Sequence, residues 1–545
     1  MIHAPLRGLL TLLCFASIAL SAAFSQENCE KIKSDLKVAD TTITSAESVA
    51  AGPFELPAGL MKSIDVPAFC RVRAEIKPTS DSLIKIEVWM PAEGWNGRFE
   101  QIGNGGLAGS INLMFLANDL KKGYATAATD DGHEGQGTDA SWAVGHPEKV
   151  KDFAYRAVHE TSEKAKKIIS AYYKKSPNYS YFNGCSEGGR EALMEAQRFP
   201  DDFNGILAGS PAHYWTQLMA AFAWNAQALN DPASFIPQAK RVAIEKAAVA
   251  ACGRQDDVTD DFIKDPMRCQ FDPSVLLCKG ADADTCLTQP QVDALKKIYA
   301  GPKDPVTKRH ISPGYEPGGE AENGFPGITF QSYVFGAGPG MSLDAMFSSS
   351  FYGGFVFDNP KWSFAELNFD KDIATTEEKV GALLNASNPD LKPFQAHGAK
   401  LLQYHGWLDG SPPPQHSVNY YEKVAGEIGS VDRTREFYRL FMAPGMMHCG
   451  AGPGPNDFGN MFDLVPSSDP DKNIFLALQR WVEKGIAPDQ IIATKFNEDN
   501  PGKGVAMTRP VCAFPQQAKW NGKGDVKDAA SWQCSSFNSA SGAKK

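Results

Sequence analysis

Residues 181–190 read Tyr-Phe-Asn-Gly-Cys-Ser-Glu-Gly-Gly-Arg and contain Gly184-Cys185-Ser186-Glu187-Gly188, a G-x-S-x-G pentapeptide. A serine hydroxyl becomes a nucleophile only beside a base of near-neutral pKa. Far downstream, Pro444-Gly445-Met446-Met447-His448-Cys449-Gly450 supplies a histidine, and Tyr404-His405-Gly406-Trp407-Leu408-Asp409 supplies a carboxylate between the two. A lone G-x-S-x-G is common, and a serine capping a helix after a strand explains many of them. Here the serine and the histidine each carry an adjacent cysteine, Cys185 and Cys449. A bond between those two would pin nucleophile to base.

Each member has a plainer reading beside it. His405 rivals His448 as the base, but it stands too near Asp409 in sequence to occupy a separate base position. Asp409 before Gly410 suits a turn; as a functional group it would orient and stabilise the imidazolium. Two N–H donors would have to meet the developing oxyanion. One is expected from Glu187, after the serine, and the other from Gly105 or Gly106 in Gly103-Asn104-Gly105-Gly106, which otherwise reads as a simple turn. That segment has neither the spacing nor the Lys-Ser/Thr ending of a phosphate loop.

The elements needed to place these residues are legible as patterns. Strands are predicted at Ile84–Met90, at Phe99–Ile102, which ends in the glycine loop, and at Tyr124–Thr129, which ends in Asp130-Asp131-Gly132-His133. A helix with Ala154, Val158, Thr161, Ala165, Ile168 and Tyr172 on one face follows. Tyr179–Phe182 then runs into Gly184, and Arg190–Arg198 is strongly helix-forming. Ser186 therefore sits at a strand-to-helix turn, with glycines where a tight elbow needs small neighbours. Further strands are expected at Ile206–Ala208, from Ala399 to Tyr404 on the way to Asp409, and at Phe437–Met442 before His448. A helix is expected over Ile474–Lys484. The order Ser, Asp, His and the βα alternation imply an α/β fold, specifically an α/β-hydrolase core with a large insertion.

The chain has 545 residues, 43% hydrophobic and 22% charged, enough for a large core and an inserted domain. A net charge of −10 argues against nucleic acid or an anionic membrane surface as partner; oligomeric state stays open. Residues 1–25 read as a secretory signal peptide, with Arg7, an apolar run from Gly8 to Leu20 and small residues near Ala23 and Ser25. That run is short of the ~20 residues that span a bilayer. The protein is thus expected outside the cytoplasm, periplasmic or secreted. Of eleven cysteines, Cys14 falls in this leader and an even set remains. Spacing suggests Cys252–Cys269, Cys278–Cys286 and Cys512–Cys534 as local loops, leaving Cys29, Cys70, Cys185 and Cys449, although sequence alone does not prove connectivity. The catalytic domain is assigned to 26–212 and 394–545. A cysteine-, glycine- and aromatic-rich lid is assigned to 213–393.

The chain resembles the tannase and feruloyl esterase family over nearly its whole mature length. The likeness rests on Gly103-Asn104-Gly105-Gly106, Gly184-Cys185-Ser186-Glu187-Gly188-Gly189-Arg190, Glu195-Ala196-Gln197-Arg198-Phe199-Pro200, Tyr404-His405-Gly406, Pro444–Cys449 and Thr508-Arg509-Pro510-Val511-Cys512. The resemblance implies a Ser186–His448–Asp409 triad, a Cys185–Cys449 bond, a five-disulfide scheme that also pairs Cys29 with Cys70, and a lid over an aromatic ester pocket. It implies no cofactor for catalysis. It also implies a structural calcium in the lid, held by Asp256, Asp260 and the carbonyls of Val258 and Phe262. Gly253 stands where the first ligand aspartate would be, however, and a solvated acidic loop competes with that reading.

For the substrate, an ester of a phenolic acid such as feruloyl or galloyl is expected. The alternative is a terephthalate half-ester, whose free carboxylate relatives grip with a lid arginine, but residues 310–360 contain no Lys or Arg. The run Met346-Phe347-Ser348-Ser349-Ser350-Phe351-Tyr352 suits a phenolic ring or plain lid core. A rival of another class is a non-catalytic phenolic-binding protein on the same fold.

Overall fold

A computed structural model describes residues 29–56, 62–255, 257–321 and 327–536. The expected leader lies outside the described residues. Among those residues no helix is long and apolar enough to cross a membrane.

Nine strands form one sheet: β1 (Thr41–Val49), β2 (Phe69–Ile76), β3 (Ile84–Pro91), β4 (Arg98–Ile102), β5 (Ala125–Thr129), β6 (Tyr179–Cys185), β7 (Gly205–Gly209), β8 (Lys400–Gly406) and β9 (Tyr438–Ala443). Their spatial order is β1-β2-β3-β5-β4-β6-β7-β8-β9. The first three pair antiparallel, and β3 pairs antiparallel with β5. From β5 through β9 every pairing is parallel. Parallel strands need crossovers, and helices α1 (Ala157–Tyr173) and α2 (Glu187–Arg198) supply two of them. The parallel strands are buried on both faces, which is why they read as short apolar runs rather than alternations. This is the mixed sheet with flanking helices of an α/β-hydrolase.

The sequence places the elements near the serine well. The long helix expected to carry Ala154 to Tyr172 on one face contains a π-turn over Asp152–Arg156, with α1 running on from Ala157. Ligands in such sheets are met at the carboxyl ends of parallel strands. Gly103, Asp131, Ser186, Asp409 and His448 all follow the ends of strands from β4 to β9.

Between β7 and β8 the chain leaves the sheet and builds a second hydrophobic cluster. Contributors include Trp215, Phe222, Phe330, Tyr333, Phe347 and Phe355. Its helices are α3 (Trp215–Ala228), α4 (Gln238–Cys252) and α5 (Leu343–Phe351). The cluster also takes in Leu107, Trp142 and Phe153 from the sheet side. Five disulfides are formed: Cys29–Cys70, Cys185–Cys449, Cys252–Cys269, Cys278–Cys286 and Cys512–Cys534.

Candidate active site

Ser186 lies between the last residue of β6 and the first of α2, with φ of 65°. A non-glycine residue held there costs roughly 1–3 kcal/mol and persists where the surroundings fix it. Its N–H donates to Gly209 O at 3.0 Å, and its carbonyl accepts from Ala212 N at 3.0 Å. The elbow closes because of glycine: a Cβ at Gly184 would stand 2.4 Å from Gly188 O, and one at Gly188 would stand 2.9 Å from Asn104 O.

Asp409 follows β8 and is buried. Its Oδ1 accepts from Ser411 N at 2.8 Å, and its Oδ2 lies 2.8 Å from His448 Nδ1. Burial works to raise this carboxyl, but the His448 charge and bonds from His405 and His448 outweigh it and hold it well below the usual carboxylate range. Asp409 is therefore an ionised acceptor that fixes the His448 ring. His448 follows β9, is 3% exposed, and donates its N–H to Ile328 O at 3.2 Å. Cys449 is bonded to Cys185 with Cα atoms 6.0 Å apart. The residues adjacent to Ser186 and to His448 are thus joined covalently, and Cys449 N donates to Ser210 Oγ at 3.3 Å as a second tie.

Sequence reasoning set His405 aside, and the structure gives it a different place. Its Nε2 lies 3.1 Å from Asp409 Oδ2 and 3.1 Å from Pro412 O. Its Nδ1 lies 2.6 Å from Ser417 Oγ, which accepts from Gln403 Nε2 at 2.6 Å, and Tyr438 Oη donates to Gln403 Oε1 at 2.5 Å. Ser417 Oγ can then donate only toward His405 Nδ1, which leaves the His405 proton on Nε2, aimed at the carboxylate. Only the spacing of His405 and Asp409 hinted at this.

The loop after β4 is fixed at its base. Asn104 N donates to Glu191 Oε2 at 2.9 Å, Asn104 Nδ2 to Glu191 Oε1 at 3.1 Å, and Gly188 N to Asn104 O at 2.8 Å. Gly106 has φ of 63°, and a Cβ there would stand 2.4 Å from Gly137 O. Leu107 N donates to Gly137 O at 2.7 Å. Gly105 is exposed at the tip, and Glu187 opens α2 behind Ser186.

The Tyr333 ring meets the His448 ring edge-on at 5.5 Å between centroids, and it stacks with Phe347 at 6.3 Å. Each serine of the run 346–352 makes a bond to backbone. Ser350 Oγ accepts from Ala140 N, Ser349 Oγ from Phe364 N, and Ser348 Oγ donates to Asp344 O. Phe347, Phe351 and Tyr352 all belong to the lid's hydrophobic cluster, and of these Phe347 stacks on Tyr333, whose ring meets His448.

In the expected calcium loop two of the positions are differently engaged, with Asp257 and Asp261 as the carboxylates that could compensate. Gly253 offers no side-chain oxygen, and both Asp260 oxygens receive Arg509, at 2.8 and 3.2 Å. Arg509 is stacked 3.9 Å over the Trp532 ring, so a guanidinium already neutralises this carboxylate. Val258 and Phe262 are buried beside it, and Asp256 lies outside the described residues.

Comparison with known proteins gives the family and the fold. Residues 70–535 match the family described as tannase and feruloyl esterase. A Xanthomonas campestris pv. campestris protein described as an uncharacterized esterase is 40% identical over 552 residues, covering 97% of this chain and 95% of that protein. An Aspergillus terreus protein named "Probable feruloyl esterase B-2" is 30% identical over 97% of this chain and 99% of its own length. The crystal structure of feruloyl esterase B from Aspergillus oryzae superposes with a TM-score of 0.85 at 30% identity, covering 94% of this chain and 100% of that one.

Proposed function

We propose that this chain, which belongs to the tannase and feruloyl esterase family, hydrolyses esters of phenolic acids through a serine acyl-enzyme. That it is a carboxylic ester hydrolase follows from the family; the mechanism and the acyl group are our reading. One observation carries it: His448 is bonded to Asp409 on one side and joined through Cys449–Cys185 to Ser186 on the other.

In this reading Ser186 Oγ attacks the ester carbonyl carbon while His448 Nε2 takes its proton. Asp409 stabilises the imidazolium that results. The carbonyl oxygen, now anionic, is met by the N–H groups of Glu187 and of Gly105 or Gly106. The C–O bond to the alcohol breaks, with His448 returning the proton to the departing oxygen. Water then repeats the sequence on the acyl-enzyme and releases the acid. The lid, residues 213–393, would cover the acyl group with Tyr333 and Phe347. An aromatic acyl group suits such rings. The missing cation over 310–360 favours an uncharged feruloyl or galloyl ring over a terephthalate half-ester. Five disulfides fit export to the periplasm or beyond.

The test is turnover of methyl ferulate, methyl gallate and the terephthalate half-ester by wild type and Ser186→Ala. Turnover of a phenolic ester, lost in the variant, is expected. Preference for the half-ester would replace the substrate assignment. No turnover with no labelling of Ser186 by a serine-reactive phosphonate would favour a binding protein.

A further inference from the structure

Three carboxylates and one guanidinium share a closed space beneath the elbow. Asp131 follows β5, and Glu187, Arg190 and Glu191 lie on α2; none is more than 2% exposed. Oxygens of Asp131, Glu187 and Glu191 all lie within 4.8 Å of one another. Arg190 is committed to Glu187, with Nε 2.9 Å from each carboxylate oxygen, and its Nη1 and Nη2 also donate to Ala154 O and Phe153 O. Glu191 accepts both bonds from Asn104. Neither oxygen of Asp131 receives a hydrogen bond among the described residues. Its backbone sits at φ of 61°, a strained value for a residue with a Cβ.

A buried ionised carboxylate without donors costs several kcal/mol. Three acids also stand against one cation. A metal ion would stand close to the Arg190 guanidinium, which already neutralises Glu187. A proton supplies the balancing charge without that repulsion. We propose that Asp131 holds a proton and donates it to Glu191, and that this acid–carboxylate pair positions Asn104, and through it the Gly105-Gly106 loop, against α2.

Burial pushes the Asp131 carboxyl well above its ordinary range, and Glu191 and Glu187 add to the shift while Arg190 opposes it. Asp130 accepts from Lys85 N and Gly132 N. Burial pushes His133 down to about 4, so it is neutral, and its Nε2 lies 2.8 Å from Leu107 O. Asp152, against Gly132, is held by Arg156 and Ser82. Asp131 is a positioning residue, and its link to catalysis rests on the proposed oxyanion role of that loop.

Asp131→Asn keeps a donor toward Glu191 but has no proton to lose; Asp131→Leu removes the donor. An infrared difference spectrum of wild type minus Asp131→Asn at neutral pH should show the carbonyl stretch of a protonated carboxyl, shifted in D2O. With an activated aryl ester, wild-type kcat should fall on the alkaline side at constant KM as Asp131 ionises against Glu191. Asp131→Asn should extend that plateau, and Asp131→Leu should lose roughly 10–100-fold in kcat at every pH. Absence of the carboxyl band overturns the proposal. So does loss of wild-type activity to a chelator that Asp131→Asn resists, since a cation would then occupy the site. A band without turnover of any ester keeps the proton pair and overturns only its link to catalysis.

Discussion

His405 Nε2 lies 3.1 Å from Asp409 Oδ2, the same oxygen that His448 Nδ1 reaches at 2.8 Å. Two imidazoles converge on one carboxylate, and only one of them adjoins the stapled cysteine. Asp409 is thus oriented from behind by β8 and helix α6 (Gln415–Ile428), through His405 and Ser417.

Removing the rear donor should weaken Asp409 as an orienting group without deleting it. For His405→Ala we expect kcat to fall about tenfold, the size of one lost hydrogen bond to a charged group. His405 helps hold the Asp409 carboxyl low, so its loss should also move the acid limb of the pH–rate profile to higher pH. His448→Ala should abolish turnover at every pH. Equal losses in the two variants, with no pH displacement, would mean that His405 does not act through Asp409.

The Cys185–Cys449 bond closes a separation of 264 residues, worth roughly 5 kcal/mol in the loop-entropy account. It also holds the histidine loop against the elbow, where a small misplacement is costly. A Cys185→Ala/Cys449→Ala variant should lose more in kcat, measured well below its melting temperature, than the partial unfolding at that temperature explains. Normal turnover by the folded variant would make the staple a stability device alone.

Stability should respond to pH with the sign of the buried acids. Burial raises Glu187 to about 7 despite Arg190, and it raises Asp131 and Glu195 well above their ordinary values. A raised carboxyl pKa contributes stability that is full below the unfolded value and is lost as pH climbs through the folded value. The depressed Asp409 acts oppositely, and its contribution is lost only in strong acid. Tm by calorimetry should therefore be higher near pH 6.5, where the stability that buried His133 gains with pH is nearly complete, than near pH 8.5. In Asp131→Asn the decline should be shallower.

Calcium should matter little. With Asp260 paired to Arg509, a chelator is expected to leave Tm and turnover unchanged, whereas Arg509→Met should lower Tm by stranding a buried carboxylate. A chelator-induced drop in Tm would show that a cation is held at this loop after all.

The residues near Ser186, Asp409 and His448 were legible because each follows a short apolar strand, and parallel strands carry that signature. The antiparallel edge was not. Thr41–Val49 buries only Ile43, so it offers no period for a reader to catch. The serines at 348–350 read as either ligand groups or plain lid core, and nothing local reveals that Ala140 N and Phe364 N bond to two of them. Asp131 was visible only as the end of a strand. Its meaning lies in Glu191, sixty residues on, and in a charge count that exists only after folding.

The elbow's glycines give the sharpest steric test. A Cβ at Gly188 would stand 2.9 Å from Asn104 O and 3.1 Å from Gly103 Cα, all backbone held in place by the bond that Gly188 N donates to Asn104 O and the one that Asn104 N donates to Glu191. Neither side can yield by turning a side chain, so Gly188→Ala must push the loop before Gly105 away from α2. The N–H groups meant for the oxyanion would then separate. If those groups serve the oxyanion, kcat should fall by ~100-fold or more, the scale of one lost donor, while KM changes little. Gly426, inside α6, has open space where a Cβ would stand, and Gly426→Ala should raise stability by about 0.5–1 kcal/mol with activity intact. Measuring the pair side by side separates a general cost of added methyls from damage to the oxyanion loop. A Gly188→Ala enzyme with unimpaired kcat would remove that loop from the mechanism.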